Sequence, residues 1–142
     1  MVKKIKHLEM IQVVIERMAR NSFLLKGWSV VLVSAILAIA AGESKSQIVV
    51  IAYLPAFVFW CLDGYLLRQK RLFCALYDVV GKKEEDEIDF SMDTSHLNTK
   101  VESWCSVTWS VTFLRLFHGS ILLAITLIWF VPRSIDFAIK HL

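Results

Sequence analysis

Glycine and proline are scarce, five and two among 142 residues. That scarcity excludes a linker-rich chain and a collagen-like repeat. Cysteine is scarce too. Cys61, Cys74 and Cys105 form no CxxC pair and no zinc-ligand spacing, so they read as small packed hydrophobes rather than a disulfide framework or metal site. Catalytic signatures are missing: there is no Ser/His/Asp set on a recognisable scaffold, no phosphate-cradling glycine loop and no HExxH. The segment "RLFHG" holds Arg115 and His118, but not at the Arg-x4-6-His spacing of RNA-cleaving helical domains. No enzyme, cofactor or metal is expected. A net charge of +3 makes no case for direct nucleic-acid binding.

What the chain has in excess is apolar sequence. Hydrophobic residues make up 56% of it, above the roughly 45–50% of an average soluble domain. The basic N-terminus does not read as a signal peptide. The first apolar run begins only near residue 23, after Glu9 and Glu16, and no small-residue cleavage site precedes soluble sequence. The expected class is a single all-α integral membrane domain over 1–142, with about three transmembrane helices and amphipathic cytosolic helical extensions.

Residues 1–21 carry Ile5, Leu8, Ile11, Ile15 and Met18 at helical spacing, opposite a face of mixed charge. This predicts an amphipathic cytosolic helix, lying on the membrane surface or packed on another helix, with Glu16 and Arg20 as an i,i+4 pair. Residues 23–42 supply a first span of roughly the 20 residues that cross a bilayer. Ser34, Ala38 and Ala41 give it a small-residue face suited to close helix packing. A tight polar turn, "ESKS", leads to a second span over 47–67, which Pro55 would kink. Residues 68–110 read as cytosolic helices and an acidic loop. Gly81 is expected to cap one helix, Glu84–Glu87 to lie in a solvated connection or a docking site for a basic partner, and "TKVE" at 99–102 to start the next helix. A stripe of Val101, Trp104, Cys105, Thr108, Val111 and Thr112 follows. Residues 111–131 form a third span ended by Pro132, and 133–142 a short amphipathic tail.

Basic residues orient this arrangement. With the N-terminus inside, Lys3, Lys4, Lys6, Arg17, Arg20, Arg68, Lys70, Arg71, Lys82, Lys83 and Lys100 are internal, and only Lys45, Arg133 and Lys140 external. The asymmetry predicts a cytoplasmic N-terminus. Trp28, Trp60, Tyr65 and Trp109 would form an inner aromatic belt, and Tyr53, Trp129 and Phe130 an outer one.

Within the second span stands Asp63, about one turn above the inner interface. Lys26 lies at the same depth on the antiparallel first span, and Arg115 and His118 arrive there on the third. An intramembrane charge costs at least ~2.5 kcal/mol on insertion scales unless it pairs or snorkels. Two outcomes stay open. Asp63 pairs with Lys26 in a polar cluster, within one protomer or between neighbours, or the long cations snorkel and Asp63 bonds to hydroxyls and water.

The segments "KHLEMIQVVIERMARNSFLLKGW", "FWCLDGYLLRQKRLFCALYD" and "DFSMDTS", with Asn21, Lys26, Gly27, Trp28, Asp63, Gly64, Tyr65 and Asp78 in context, resemble a widespread group of small bacterial multi-pass membrane proteins. In size and layout that group is similar to accessory membrane proteins of antiviral systems, among them the pore-forming accessory of type VI-B CRISPR loci. The resemblance implies a bacterial inner-membrane homo-oligomer that forms a pore or depolarises the membrane in antiviral defence. The alternatives are a non-conducting scaffold for a cytosolic effector protein, and an ion or proton carrier using Asp63 and His118.

Overall fold

The computed structural model describes residues 2–43, 46–110 and 112–140, with side chains for these except at 42, 43, 46, 47, 110, 112–115 and 131–140. All regular structure among them is helical: α1 (Val2–Glu43), α2 (Ser46–Ile51), α3 (Tyr53–Lys82), α4 (Trp104–Ser110) and α5 (Thr112–Lys140). The turn "ESKS", Val111 and the last two residues of the tail fall outside the described residues, wholly or in part.

The helix expected over 1–21 and the span expected over 23–42 are one continuous helix of 42 residues. Its inward seam explains the continuity. Leu8, Ile11, Ile15, Ser22, Lys26, Ser29, Val33, Ile36 and Ala40 follow one another mostly at spacings of three and four, so a single face runs the whole length. That face packs antiparallel on α2–α3. At the end bearing the N-terminus, Ile11 meets Leu72, Leu76 and Val80, so the first twenty residues pack on another helix of the same chain. At the far end Val33 and Ala40 meet Val49, Ala52, Ala56 and Ile125 of α5.

Pro55 interrupts its helix as its chemistry requires. It has no N–H to offer Ile51, the residue at which α2 ends, and Ala52 closes the break by bonding Val49 O at 3.1 Å. Gly81 does not act as a cap. The helix passes through it without a left-handed φ and stops at Lys82, because Lys83 turns extended and its carbonyl accepts Lys4 Nζ at 2.9 Å. Nor does "TKVE" start a helix. Glu102 is drawn to Arg71 at 2.6 Å, and Ser103 instead caps α4, its hydroxyl accepting the Ser106 N–H at 3.3 Å. Pro132 does not end α5, which continues to Lys140. Proline forfeits one helical bond, but its fixed φ is itself helical, so a helix can carry across it.

Between α3 and α4 the acidic run is exposed at Glu84, Asp86 and Glu87, but the segment as a whole is docked on the helices. Residues 83–103 form a strap with two short 3₁₀ turns, and Ile88, Met92, Leu97 and Val101 pack on the apolar cluster of α1 and α3. Polar ties flank that contact. Glu85 accepts the Lys3 N–H at 2.8 Å, a carboxylate at the N-terminus of α1, where the helix offers unpaired donors. Arg68 reaches Asn98 Oδ1 at 3.0 Å and the Glu102 carbonyl at 3.2 Å.

Candidate functional site

The two apolar clusters are separated, along α1 and α3, by one polar level that α5 joins. Ser22 and Lys26 occupy the α1 seam there, Asp63 and Gly64 the facing side of α3, and His118 the first turns of α5. Asp63 is fully enclosed, and so are Ser29 and, within 1%, His118.

Asp63 is the hub of the cluster. Its Oδ2 pairs with Lys26 Nζ and accepts His118 Nε2 at 3.2 Å, while its Oδ1 accepts the Ser22 hydroxyl. Lys26 Nζ in turn donates to Ser22 Oγ at 2.8 Å. Ser22 is therefore a relay, accepting from the cation and donating to the anion. A carboxylate paired with a lysine only accepts, so His118 donates from Nε2. Three helices thus close on one carboxylate through side chains from positions 22, 26, 63 and 118.

Aromatic rings close the site. Trp60 stacks on the His118 ring at 6.3 Å and 14°, and meets Trp109 at 5.2 Å. Trp60 is consequently buried rather than part of an aromatic belt, whereas Trp28, Tyr65 and Trp109 are exposed. Helix α4 is held close by Gly64. A Cβ built there would stand 2.2 Å from Thr108 Oγ1, so only glycine admits this approach. The Trp104 indole donates to the Cys61 carbonyl at 3.2 Å. Of the expected stripe on this segment, Thr108 is buried with Val107, while Trp104 and Cys105 stay exposed. A groove bordered by Phe23, Gly27, Val30 and Phe117 reaches the edge of the cluster at Ser22 and Lys26.

The structure brings Lys26, Asp63 and His118 together. The side chain of Arg115 lies outside the described residues. Ser22 and Trp60 were not among the expected site residues. The signal for Ser22 was register, since it stands four residues before Lys26 on the seam that Ile11 and Ile15 begin. Ser34, Ala38 and Ala41 do not pack within the chain. They are exposed, and the internal contacts of this half of α1 are made by Val33, Ile36, Leu37 and Ala40. Among the described residues no three His, Cys, Asp or Glu side chains are grouped to hold a metal.

Chemically, the cluster is an internally neutralised ion pair, enclosed at Asp63 and reached by the groove at Lys26, with a histidine attached. Breaking such a pair from one side strands a charge in a low-dielectric interior, a penalty of about 3–5 kcal/mol. That is the chemistry of a lock between helices. No protein-family model, curated protein or solved structure matches the chain.

Proposed function

We propose that the chain is an integral membrane protein that works as a homo-oligomer, forming a pore or otherwise depolarising the bacterial inner membrane, in the setting of antiviral defence that its resemblance implies. Two helical stretches, Val2–Ala41 and Ile48–Lys82, are long and apolar enough to cross a membrane. Phe23, Val31, Leu54 and Phe57 stand 57–76% exposed along them, which supports lipid rather than a soluble core as their surroundings. Water would penalise such a surface and lipid would not. Helix α5, with the shorter apolar run Leu116–Phe130, joins them as a third span in this reading, and the N-terminus faces the cytoplasm.

The observation that carries the oligomer is the outward face of α1. Gly27, Ser34, Ala38 and Ala41 are exposed, and nothing lies within 4 Å of a Cβ built at Gly27. Small residues are the usual means by which membrane helices approach one another. Asp63 is enclosed within the protomer, and in this reading conduction runs between protomers. Particle size in nanodiscs, by mass photometry with two-dimensional class averages, tests this together with ion flux in liposomes. A closed ring that conducts is the expected result; a monomer or simple dimer rules out the pore.

A second reading is favoured by the strap. Glu84, Asp86, Glu87, Asp89 and Asp93 are exposed on a folded, docked segment, a surface suited to holding a basic cytosolic effector protein at the membrane without conduction. A monomer that retains such a partner would establish this scaffold role.

A further inference from the structure

The strap is fastened to α1 by a histidine remote from the Asp63 cluster. His7 is fully buried, although it lies within the first two turns of α1. Its Nε2 bonds the Ser91 carbonyl at 3.1 Å, and its ring lies 5.5 Å from that of Phe90. A carbonyl only accepts, so Nε2 carries a proton, and in the neutral ring Nδ1 is then the bare nitrogen. Nδ1 is buried and has no hydrogen-bond partner among the described residues. Phe90 holds a left-handed backbone, φ 56°, which a phenylalanine adopts only when its surroundings impose it.

We propose that His7 is a proton-operated latch: neutral, it holds the 83–103 strap against α1, and protonated at Nδ1 it releases it. The neutral ring fits the site because one nitrogen donates to Ser91 and the other asks for nothing that water must supply. A second proton creates a charged N–H in a buried position with no acceptor, the arrangement most costly to keep desolvated. Opening the strap exposes Nδ1 to water and removes that cost. Opening also frees Phe90 from its imposed backbone, so both changes favour the same state.

The surroundings do not rescue the imidazolium. On α1 the ionisable side chains nearest in sequence are Lys3, Lys4 and Lys6, of its own sign, and Glu9, which is exposed to solvent. On the strap, Glu85 accepts the Lys3 N–H, and Asp89 is paired with Lys83 at 3.6 Å. On α3, Leu76 and Val80 belong to the apolar cluster at this end, while Tyr77, Asp78 and Lys82 are exposed. His96 is the strap's own imidazole, and it is exposed.

The test is amide hydrogen exchange across residues 83–103 in the full chain in nanodiscs, between about pH 7.5 and about pH 5.5, the window in which imidazoles change charge. Rates are corrected for the intrinsic pH dependence of exchange. Wild type should show strap opening rise, by up to about tenfold, as pH falls. His7→Gln, which keeps an N–H for Ser91 and cannot titrate, should stay closed throughout; His96→Gln should respond as wild type does. A pH-independent wild-type strap, or an undiminished response in His7→Gln, overturns the latch. If His7→Gln does not fold, the His7 ring is followed in wild type by its ¹³Cε1 shift. Uptake of the proton together with strap opening upholds the proposal, and uptake without opening overturns it.

Discussion

Asp63 and Asp93 are both carboxylates held by serine, and the two are satisfied in opposite ways. Asp93 lies on the exposed strap and takes the backbone N–H and the hydroxyl of Ser95, each at 2.8 Å and two residues away. Asp63 is enclosed at the centre of the bundle, and its partners come from positions 22, 26 and 118. An exposed charge can settle for the nearest donor because water supplies the rest. A buried charge must find every partner in the protein, and that requirement brings three helices to one point. The first arrangement shapes a turn, whereas the second fixes a fold.

The comparison predicts a steep ordering of effects. Removing the cation alone, Lys26→Met, should cost about 3–5 kcal/mol of unfolding free energy in micelles, since it strands Asp63. Pairing it with Asp63→Leu should restore most of that loss, as a well-packed apolar pair often does. A Lys26→Met variant of wild-type stability would remove the contrast between centre and strap. Next comes Gly64→Ala, whose new methyl meets Thr108 Oγ1 at 2.2 Å. Overpacking of this kind costs about 1–3 kcal/mol, and Thr108→Ala in the same chain should recover part of it.

Effects on the strap side are smaller. Ser103→Ala removes the cap of α4 and should cost about 0.5–2 kcal/mol. Arg71→Ala breaks the exposed pair with Glu102 and should cost less than about 1 kcal/mol; thermal unfolding of the two variants side by side measures both. Smallest is the acid response of the strap carboxylates. The Ser95 N–H and hydroxyl hold Asp93 below the usual carboxylate range, and the Ser91 N–H does the same for Asp89. A carboxylate lowered in the folded state contributes its stability above the unfolded value of about 3.9 and loses it as pH falls further. Hydrogen exchange on the strap should therefore show a second, shallow loosening below about pH 4, diminished in Ser95→Ala. This lies well below the window of His7.

The same contrast governs how much of the fold is legible in the amino-acid sequence alone. Asp63 and Lys26 are legible because a charge in an apolar run has a depth, and depth can be matched between antiparallel spans. The helical content and the break near Pro55 are legible for similar reasons, as local chemistry. Trp60 is not, since nothing in an aromatic residue says whether its ring faces outward or stacks on His118, far along the chain. The expected start of α4 was misplaced because Glu102 could serve a capping box or an arginine equally well, and Arg71, 31 residues earlier, decided it. The strap is hidden for the same reason: its docking depends on Ile88, Met92, Leu97 and Val101, spaced too irregularly to signal a packed face.

The most direct test of the central claim, that the acid inside the apolar helices is a lock within one protomer, is the charge swap. Unfolding is measured for Lys26→Asp, Asp63→Lys and the double variant in the same detergent. Each single change should be strongly destabilising, placing two like charges face to face, and the double variant should regain a substantial part of the loss. Single changes that leave stability unaltered, or a double variant no better than its parents, would contradict that claim.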